Sequence, residues 1–231
     1  MSINLIFQFV NRYIIIVAGG SGTRMNSAIP KQFMELSGRP VLMHTIDRFR
    51  NTYLDISVIV VLAEKLNDQW KELCSKHGFE VPHQLVNGGE TRYHSVKNGL
   101  ELVPDACVVG IHDAARPLVN AFTIKNAFSA AEKLGNASPA VSVTDSLRTV
   151  KGTENTGVDR NNYRIVQTPQ CFHSNLLKQA FRKAYKPEFT DDATVLEAFG
   201  EKINLIEGNR ENIKITSPQD ILIAEALIKT I

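Results

Sequence analysis

The sequence predicts a Rossmann-like, doubly wound α/β fold: a mostly parallel sheet between helical layers, with one protruding β-arm. Three observations predict it. Short β-branched apolar runs recur along the chain, stretches with helical spacing separate them, and a glycine-rich loop follows the first run directly.

The strands are expected at YIIIV (13–17), ISVIVVL (56–62), CVVGI (107–111), ASPAVSV (137–143) and INLIE (203–207). Nearly continuous apolar runs suit a parallel sheet covered on both faces, because neither face meets water. Helices are expected at 40–49, 67–77, 91–103, 122–134 and 174–185. A last helix carries its own start in SPQD, with Ser217 as N-cap, Pro218 at the first helical position and Asp220 in the first turn.

Two segments stand outside the alternation. TDSLRTVKGTENTGVDRNNY (144–163) is polar, holds two glycines and is too long for an ordinary connection, so it reads as a hairpin arm. Residues 1–12 read as an extension ahead of the first strand: no basic residue precedes their apolar part and no small-residue cleavage site follows. The whole of 1–231 is expected to form one domain, since a chain 43% hydrophobic at this length supports one full core.

Composition narrows the function. A formal net charge of +2 lacks the basic excess of a nucleic-acid-coating surface, so any anion site must be local. No stretch approaches the roughly 20 apolar residues of a membrane helix. Cys74, Cys107 and Cys171 form no CxxC pair and are too few for a disulfide framework, which suggests the reducing cytoplasm.

Loops leaving the carboxyl ends of parallel strands meet at one sheet edge, so motifs placed there become neighbours. The first is AGGSGTRM, in which Gly19, Gly20 and Gly22 let backbone N–H groups approach an anion. It is not a Walker A loop, and Met25 stands where GxGxxG needs its third glycine, which counts against a dinucleotide-dependent oxidoreductase. The glycines alone would suit a plain turn; Arg24 and Lys31 add two cations, which is what transfer at a phosphorus atom requires.

In HDAARP, Asp113 at a strand end suits a ribose hydroxyl or a hydrated metal ion, or else caps loop N–H groups. Arg116 suits a salt bridge within the loop equally well, and His112 reads as structural. In NGGETRYHSV, Gly88 and Gly89 before a helix start, with Ser95 one turn on, offer groups that read a base edge. A glycine turn with a helix cap explains the same residues. In the second half of the chain, Arg160 and Lys214 suit a second anion, with Thr168, Thr190 and Asp191 nearby in motif and Asp192 as a helix-start carboxylate. No Ser/His/Asp or Cys/His arrangement and no metal-ligand histidine spacing is present.

In order, AGGSGTRM, PKQF, NGGETRYHSV, HDAARP, VDRNNYRIVQTPQCF, TDDATVLE and GNRENIKITSPQD resemble the 2-C-methyl-D-erythritol 4-phosphate cytidylyltransferase family of the non-mevalonate isoprenoid pathway, from about residue 13 onward. The resemblance implies a sheet of the nucleotide-diphospho-sugar transferase type and a reaction in which a polyol phosphate attacks the α-phosphate of CTP and pyrophosphate leaves. By motif, Ala18, Gly19, Gly20 and Gly22 would cradle the triphosphate, Gly89 and Ser95 would lie at the cytosine, and Asp113 and Ala114 at the ribose. Arg24 and Lys31 would stabilise the transition state, while Arg160 and Lys214, with Thr168, Thr190 and Asp191, would hold the acceptor. Mg²⁺ would accompany CTP, with Asp113 as its metal contact. The family's β-arm embraces a second subunit, so the resemblance also implies a homodimer in which Arg160 completes the partner's site, with no nucleic-acid or membrane partner.

Glu90 and Ser146 depart from the aspartate and threonine common in the family. The nearest rival is a ribitol 5-phosphate cytidylyltransferase, which shares the glycine loop, PKQF and TPQ. VDR ahead of NNY, and TDDATVLEAFG, favour the methylerythritol enzyme. A non-catalytic nucleotide sensor would bind CTP without turnover.

Overall fold

The computed structural model describes residues 11–19 and 29–230. In chain order its strands are β1 (Arg12–Val17), β2 (Glu35–Leu36), β3 (Arg39–Pro40), β4 (Ser57–Leu62), β5 (Gln84–Asn87), β6 (Val108–Asp113), β7 (Asn136–Ser142), β8 (Leu147–Lys151), β9 (Glu154–Val158), β10 (Arg164–Val166), β11 (Gln170–His173) and β12 (Leu205–Glu207). The helices are α1 (Val41–Thr52), α2 (Asn67–Lys76), α3 (Arg92–Leu100), α4 (Ala121–Leu134), α5 (Ser174–Ala180), α6 (Asp192–Phe199) and α7 (Pro218–Leu227).

The main sheet runs in the order β5, β4, β1, β6, β11, β7, with β10 and β12 also paired to β7. Strands β5, β4, β1 and β6 are mutually parallel, and β12 is parallel to β7. Only β10 and β11 run the other way. The expected mostly parallel sheet is therefore present, and its central strand is the apolar run that feeds the glycine loop.

Alternation along each strand explains why both faces are covered. Ile14 and Ile16 of β1, with Val58, Val60 and Leu62 of β4, pack beneath α1 and α4 against Leu42, Ile46, Phe49 and Phe128. Ile15, Ile59 and Val61 point the opposite way, against Tyr93 and Val96 of α3, Leu177 of α5 and Leu196 of α6. A side-chain period of two places one strand's residues in two cores.

The arm is an antiparallel hairpin, β8 paired to β9 from Leu147 opposite Val158 to Lys151 opposite Glu154, turning at Gly152 with φ of 60°. Its strand residues are exposed apart from Leu147 and Val158, which are half-buried. Immediately after it, β10 and β11 follow one edge of β7, but not in constant register. Val166 faces Ala140 and Cys171 faces Ala137, so the chain takes five residue steps where β7 takes three. The surplus folds aside at 167–170 as a bulge.

Several element boundaries differ from expectation for identifiable reasons. β1 begins at Arg12, paired with Val108, so that residue belongs to the sheet; residues 1–10 of the expected extension lie outside the described residues. The helix expected to reach 185 stops at Ala180, where the Tyr93 hydroxyl meets the carbonyls of Phe181 and Lys183 at 2.9 and 2.6 Å in place of a further helical turn. The helix expected to reach 103 ends at Leu100, ahead of Pro104, which disfavours helical backbone in the residue before it. The short strands β5, β10 and β11 were not expected, because none carries an apolar run of strand length. α6 begins at Asp192, the helix-start carboxylate of the sequence; it is eight residues long and is held by a capping box at Asp191.

Candidate active site

Two cavities open at the carboxyl ends of the parallel strands. The first, of about 320 Å³, is lined by Ala18 and Gly19 after β1, Lys31 and Gln32, Gly89 and Ser95, and Asp113 and Ala114 at the end of β6, among others. The second, of about 230 Å³, takes Gln167, Thr168 and Gln170 from the bulge and Thr190 and Asp191 from the approach to α6. Arg92, Asp113 and Lys214 line both.

The first cavity is bordered by glycine backbone that is closely packed against α3. Ser95 Oγ donates to Thr91 O at 3.0 Å and accepts the Gly89 N–H at 3.1 Å, fixing the turn before α3. A Cβ on Gly19 or Gly88 would stand 3.3 or 3.2 Å from that oxygen, and one on Gly89 would collide with His94 Cβ. Gln32, itself buried, donates to Ala18 O at 2.8 Å and so ties the 3₁₀ turn of Lys31 to the end of β1.

Asp113 is the electrostatic centre. Its Oδ2 lies 2.8 Å from Lys214 Nζ and 3.5 Å from Arg116 Nε, and its Oδ1 lies 3.5 Å from Arg92 Nε. Burial by itself would push this carboxyl up, but Arg92, Lys214 and Arg116 outweigh it and hold the group far below the usual carboxylate range. Arg92 also donates from Nη2 to Asp192 Oδ2 at 2.7 Å. Burial opposes its charge, and the carboxylates of Asp192 and Asp113 more than restore it, so Arg92 remains a cation.

Beneath Asp113 a chain of hydrogen bonds has one consistent direction. His112 Nε2 lies 3.1 Å from Arg116 O, which can only accept, so Nε2 carries the ring proton. The neutral ring then accepts at Nδ1 from the Thr168 hydroxyl at 3.0 Å, and that oxygen accepts the Asp113 N–H at 3.1 Å. His112 is fully buried, and desolvation lowers its pKa to about 4, in keeping with a neutral ring. Thr168 thus lines the second cavity while its hydroxyl is engaged inward.

The loop after β12 brings Lys214 into place. Asn209 donates to Leu118 O at 3.1 Å, Gln167 donates to Asn209 O at 2.9 Å, and Asn212 donates to Thr168 O at 2.9 Å. The Ile215 N–H bonds to Ala115 O at 2.8 Å, so Lys214 leaves a short backbone splint beside HDAARP.

Of the site residues expected from sequence, Ala18, Gly19, Lys31, Gly89, Ser95, Asp113, Ala114 and Lys214 meet at the first cavity, and Thr168, Thr190, Asp191 and Lys214 at the second. Gly20, Gly22 and Arg24 lie outside the described residues. Arg160 lines neither cavity; it stands exposed at the foot of the arm and donates to Thr144 O. Asp191 is engaged as the α6 cap, its Oδ1 accepting the Thr194 N–H at 2.9 Å and its Oδ2 the Gln170 amide at 2.7 Å. Arg116, open between loop salt bridge and function in the sequence, bonds Asp113 within the loop and donates to Asn212 O at 2.7 Å.

The sequence reading missed Arg92 and Gln170. Arg92 sits inside NGGETRYHSV without a spacing that marks it, and its partners are 21 and 100 positions away. Gln170 lies in TPQ, yet its role, accepting the N–H groups of Asp192 and Ala193 at 3.1 and 2.9 Å, depends on a helix that starts 22 positions further on.

Comparison with known proteins places this geometry among relatives. The family model for 2-C-methyl-D-erythritol 4-phosphate cytidylyltransferase matches residues 13–230. The protein of that name from Bacteroides thetaiotaomicron is 48% identical over 215 residues, covering 93% of this chain and 98% of its own. The one from Porphyromonas gingivalis is 48% identical over 218 residues, covering 94% and 97%. Among solved structures, the Thermus thermophilus 2-C-methyl-D-erythritol 4-phosphate cytidylyltransferase superposes with a TM-score of 0.75 at 33% identity, over 95% of this chain and 98% of that one. The Anaerococcus prevotii 4-diphosphocytidyl-2C-methyl-D-erythritol synthase superposes with a TM-score of 0.80 at 27% identity, over 95% and 96%.

Proposed function

The chain belongs to the 2-C-methyl-D-erythritol 4-phosphate cytidylyltransferase family, and from that membership we propose how its residues divide the work. The reaction joins CTP and 2-C-methyl-D-erythritol 4-phosphate into 4-diphosphocytidyl-2-C-methyl-D-erythritol and releases pyrophosphate, a step of isoprenoid precursor synthesis. One observation carries the division: two cavities share a wall made of Arg92, Asp113 and Lys214. A transfer between two substrates needs two sites that meet where the bond forms.

The first cavity takes CTP. Gly89 and Ser95 border the base, Asp113 and Ala114 the ribose, and Ala18 and Gly19 the phosphates, with Gly20 and Gly22 assigned there by motif. The second cavity takes the acceptor, with Thr168, Thr190 and Asp191 in its wall and Lys214 at the boundary. An acceptor phosphate oxygen attacks the α-phosphorus, a P–O bond forms, and the bond to pyrophosphate breaks. No enzyme nucleophile is needed. Lys31 and Lys214, with Arg24 by motif, offset charge that gathers at the phosphorus, and positioning supplies much of the rest.

Mg²⁺ enters with CTP in this reading. Among the described residues no cluster of three or more His, Cys, Asp or Glu could cage a metal, and Mg²⁺ usually takes one or two carboxylates plus substrate phosphates. Asp113 fits that lesser role, ionised and with Oδ1 held only at 3.5 Å by Arg92. When bound, the ion neutralises phosphate charge.

The homodimer and the cytoplasmic setting are further parts of the proposal. The arm is largely exposed, and Arg160 at its foot lies away from both cavities of its own chain, as a residue serving a second copy would. Three unpaired cysteines suit a reducing compartment, and no described helix is long and apolar enough to cross a membrane.

Incubation with CTP, Mg²⁺ and either 2-C-methyl-D-erythritol 4-phosphate or ribitol 5-phosphate, with pyrophosphate release and product mass as readouts, tests the reading. Selective turnover of the methylerythritol acceptor is expected; preference for ribitol 5-phosphate would overturn it.

A further inference from the structure

Arg92 opens α3 and its guanidinium touches carboxylates on both sides of the shared wall: Asp113 at the end of β6 and Asp192 at the first position of α6. Asp192 is 1% exposed, and its second oxygen, Oδ1, has no hydrogen-bond partner among the described residues. A buried ion pair with one oxygen unsatisfied is a poor source of stability, because desolvation offsets the attraction. Nor does α6 depend on it for its start. Gln170 already accepts the first two N–H groups of that helix, and Asp191 caps the third.

We propose that Arg92 is a positioning residue that ties the acceptor cavity to the nucleotide cavity. Holding Asp113 by Oδ1, it leaves Oδ2 to Lys214 and Arg116; holding Asp192, it links the already capped start of α6, directly after Thr190 and Asp191 in the acceptor wall, to the end of β6. Asp192, Arg92, Asp113 and Lys214 then form one line of alternating charge across the wall. A shift of α6 is passed to the cation that faces both substrates. This inference rests on the cytidylyltransferase reading.

The test is steady-state kinetics of Asp192→Asn with each substrate varied in turn. The link lies on the acceptor side, so its loss should raise the acceptor KM about tenfold and leave the CTP KM within about twofold. A role in folding alone would move neither KM in the folded enzyme, or both together. If the acceptor KM does not rise at least about fivefold more than the CTP KM, the proposal is overturned. Should Asp192→Asn not fold by thermal melt, the paired variant Arg92→Met/Asp192→Leu replaces the ion pair by apolar groups and takes the same criterion. Wild-type turnover is the control: its absence overturns the cytidylyltransferase reading and this inference with it, whereas an active wild type with an unchanged variant overturns only the role of Arg92.

Discussion

Lys214 sets its Nζ 2.8 Å from Oδ2 of Asp113, a contact that crosses from the loop after β12 to the end of β6. Two other cations also face that carboxylate and one of them, Arg92, pairs with Asp192 as well, so three positive charges meet two negative ones. The wall between the cavities is therefore net cationic, as a site that gathers phosphates requires.

Lys214→Met should consequently lower kcat by about 10²-fold or more, the usual cost of removing one charge-stabilising group from a transition state. Arg92 and Arg116 still pair Asp113, so the thermal midpoint should change little. Steady-state rates together with a melt check this; near-wild-type kcat would remove Lys214 from the reaction.

His112 gives a prediction about pH. Its folded pKa is lowered from 6.5 to about 4. Between those values the unfolded chain binds a proton that the folded one refuses, so stability falls as pH drops from 6.5 toward 4 and this contribution levels off below. The gap corresponds to about 3 kcal/mol. Asp113, whose pKa is depressed, loses its own contribution only at lower pH, below the ordinary carboxylate range. His112→Gln should be less stable at pH 7 and show a flatter dependence across the window, measured by urea unfolding at several pH values. An unchanged slope would show that His112 does not cause it.

Gly89→Ala tests the shape of the first cavity. The added Cβ would collide with His94 Cβ and crowd its backbone at 3.0 Å, so the turn carrying the Ser95 hydrogen bond must move. The CTP KM should rise about tenfold or more while the acceptor KM changes little. Equal shifts in both would point to a general distortion.

Arg160 is best tested between subunits. Lys31→Ala and Arg160→Ala should each be nearly inactive alone. If Arg160 serves the partner, a mixed dimer of the two has one intact site, and random mixing should restore about a quarter of wild-type activity. No restoration on mixing, with mixed dimers verified by differential tagging, would place Arg160 in its own chain's site.

Much of this was legible from local pattern. The long apolar strands announced the sheet, and the motifs at their carboxyl ends announced where chemistry would gather, because parallel topology brings those ends together. What local pattern could not carry was pairing at a distance. Nothing around Arg92 reveals that Asp192, 100 residues on, is its partner, and nothing in QTPQ reveals that Gln170 will cap a helix. β11 was invisible for a related reason: four residues, QCFH, become a central strand only because β6 and β7 accept them on either side. Thr168 shows the limit for side chains too, since its motif suggested a ligand contact while its hydroxyl is engaged by His112 and Asp113.

The splint that delivers Lys214 has a consequence for the chain's own synthesis. Ribosomes make proteins from the N-terminus, and Lys214 is the last residue of the proposed site to be made. Until it emerges, Asp113 has only Arg92 and Arg116 for cationic company, and the carbonyl of Ala115 lacks the Ile215 N–H that seats the loop. A nascent chain that stops short of Lys214 therefore lacks a cation that lines both cavities, so neither cavity is complete until that residue has been made.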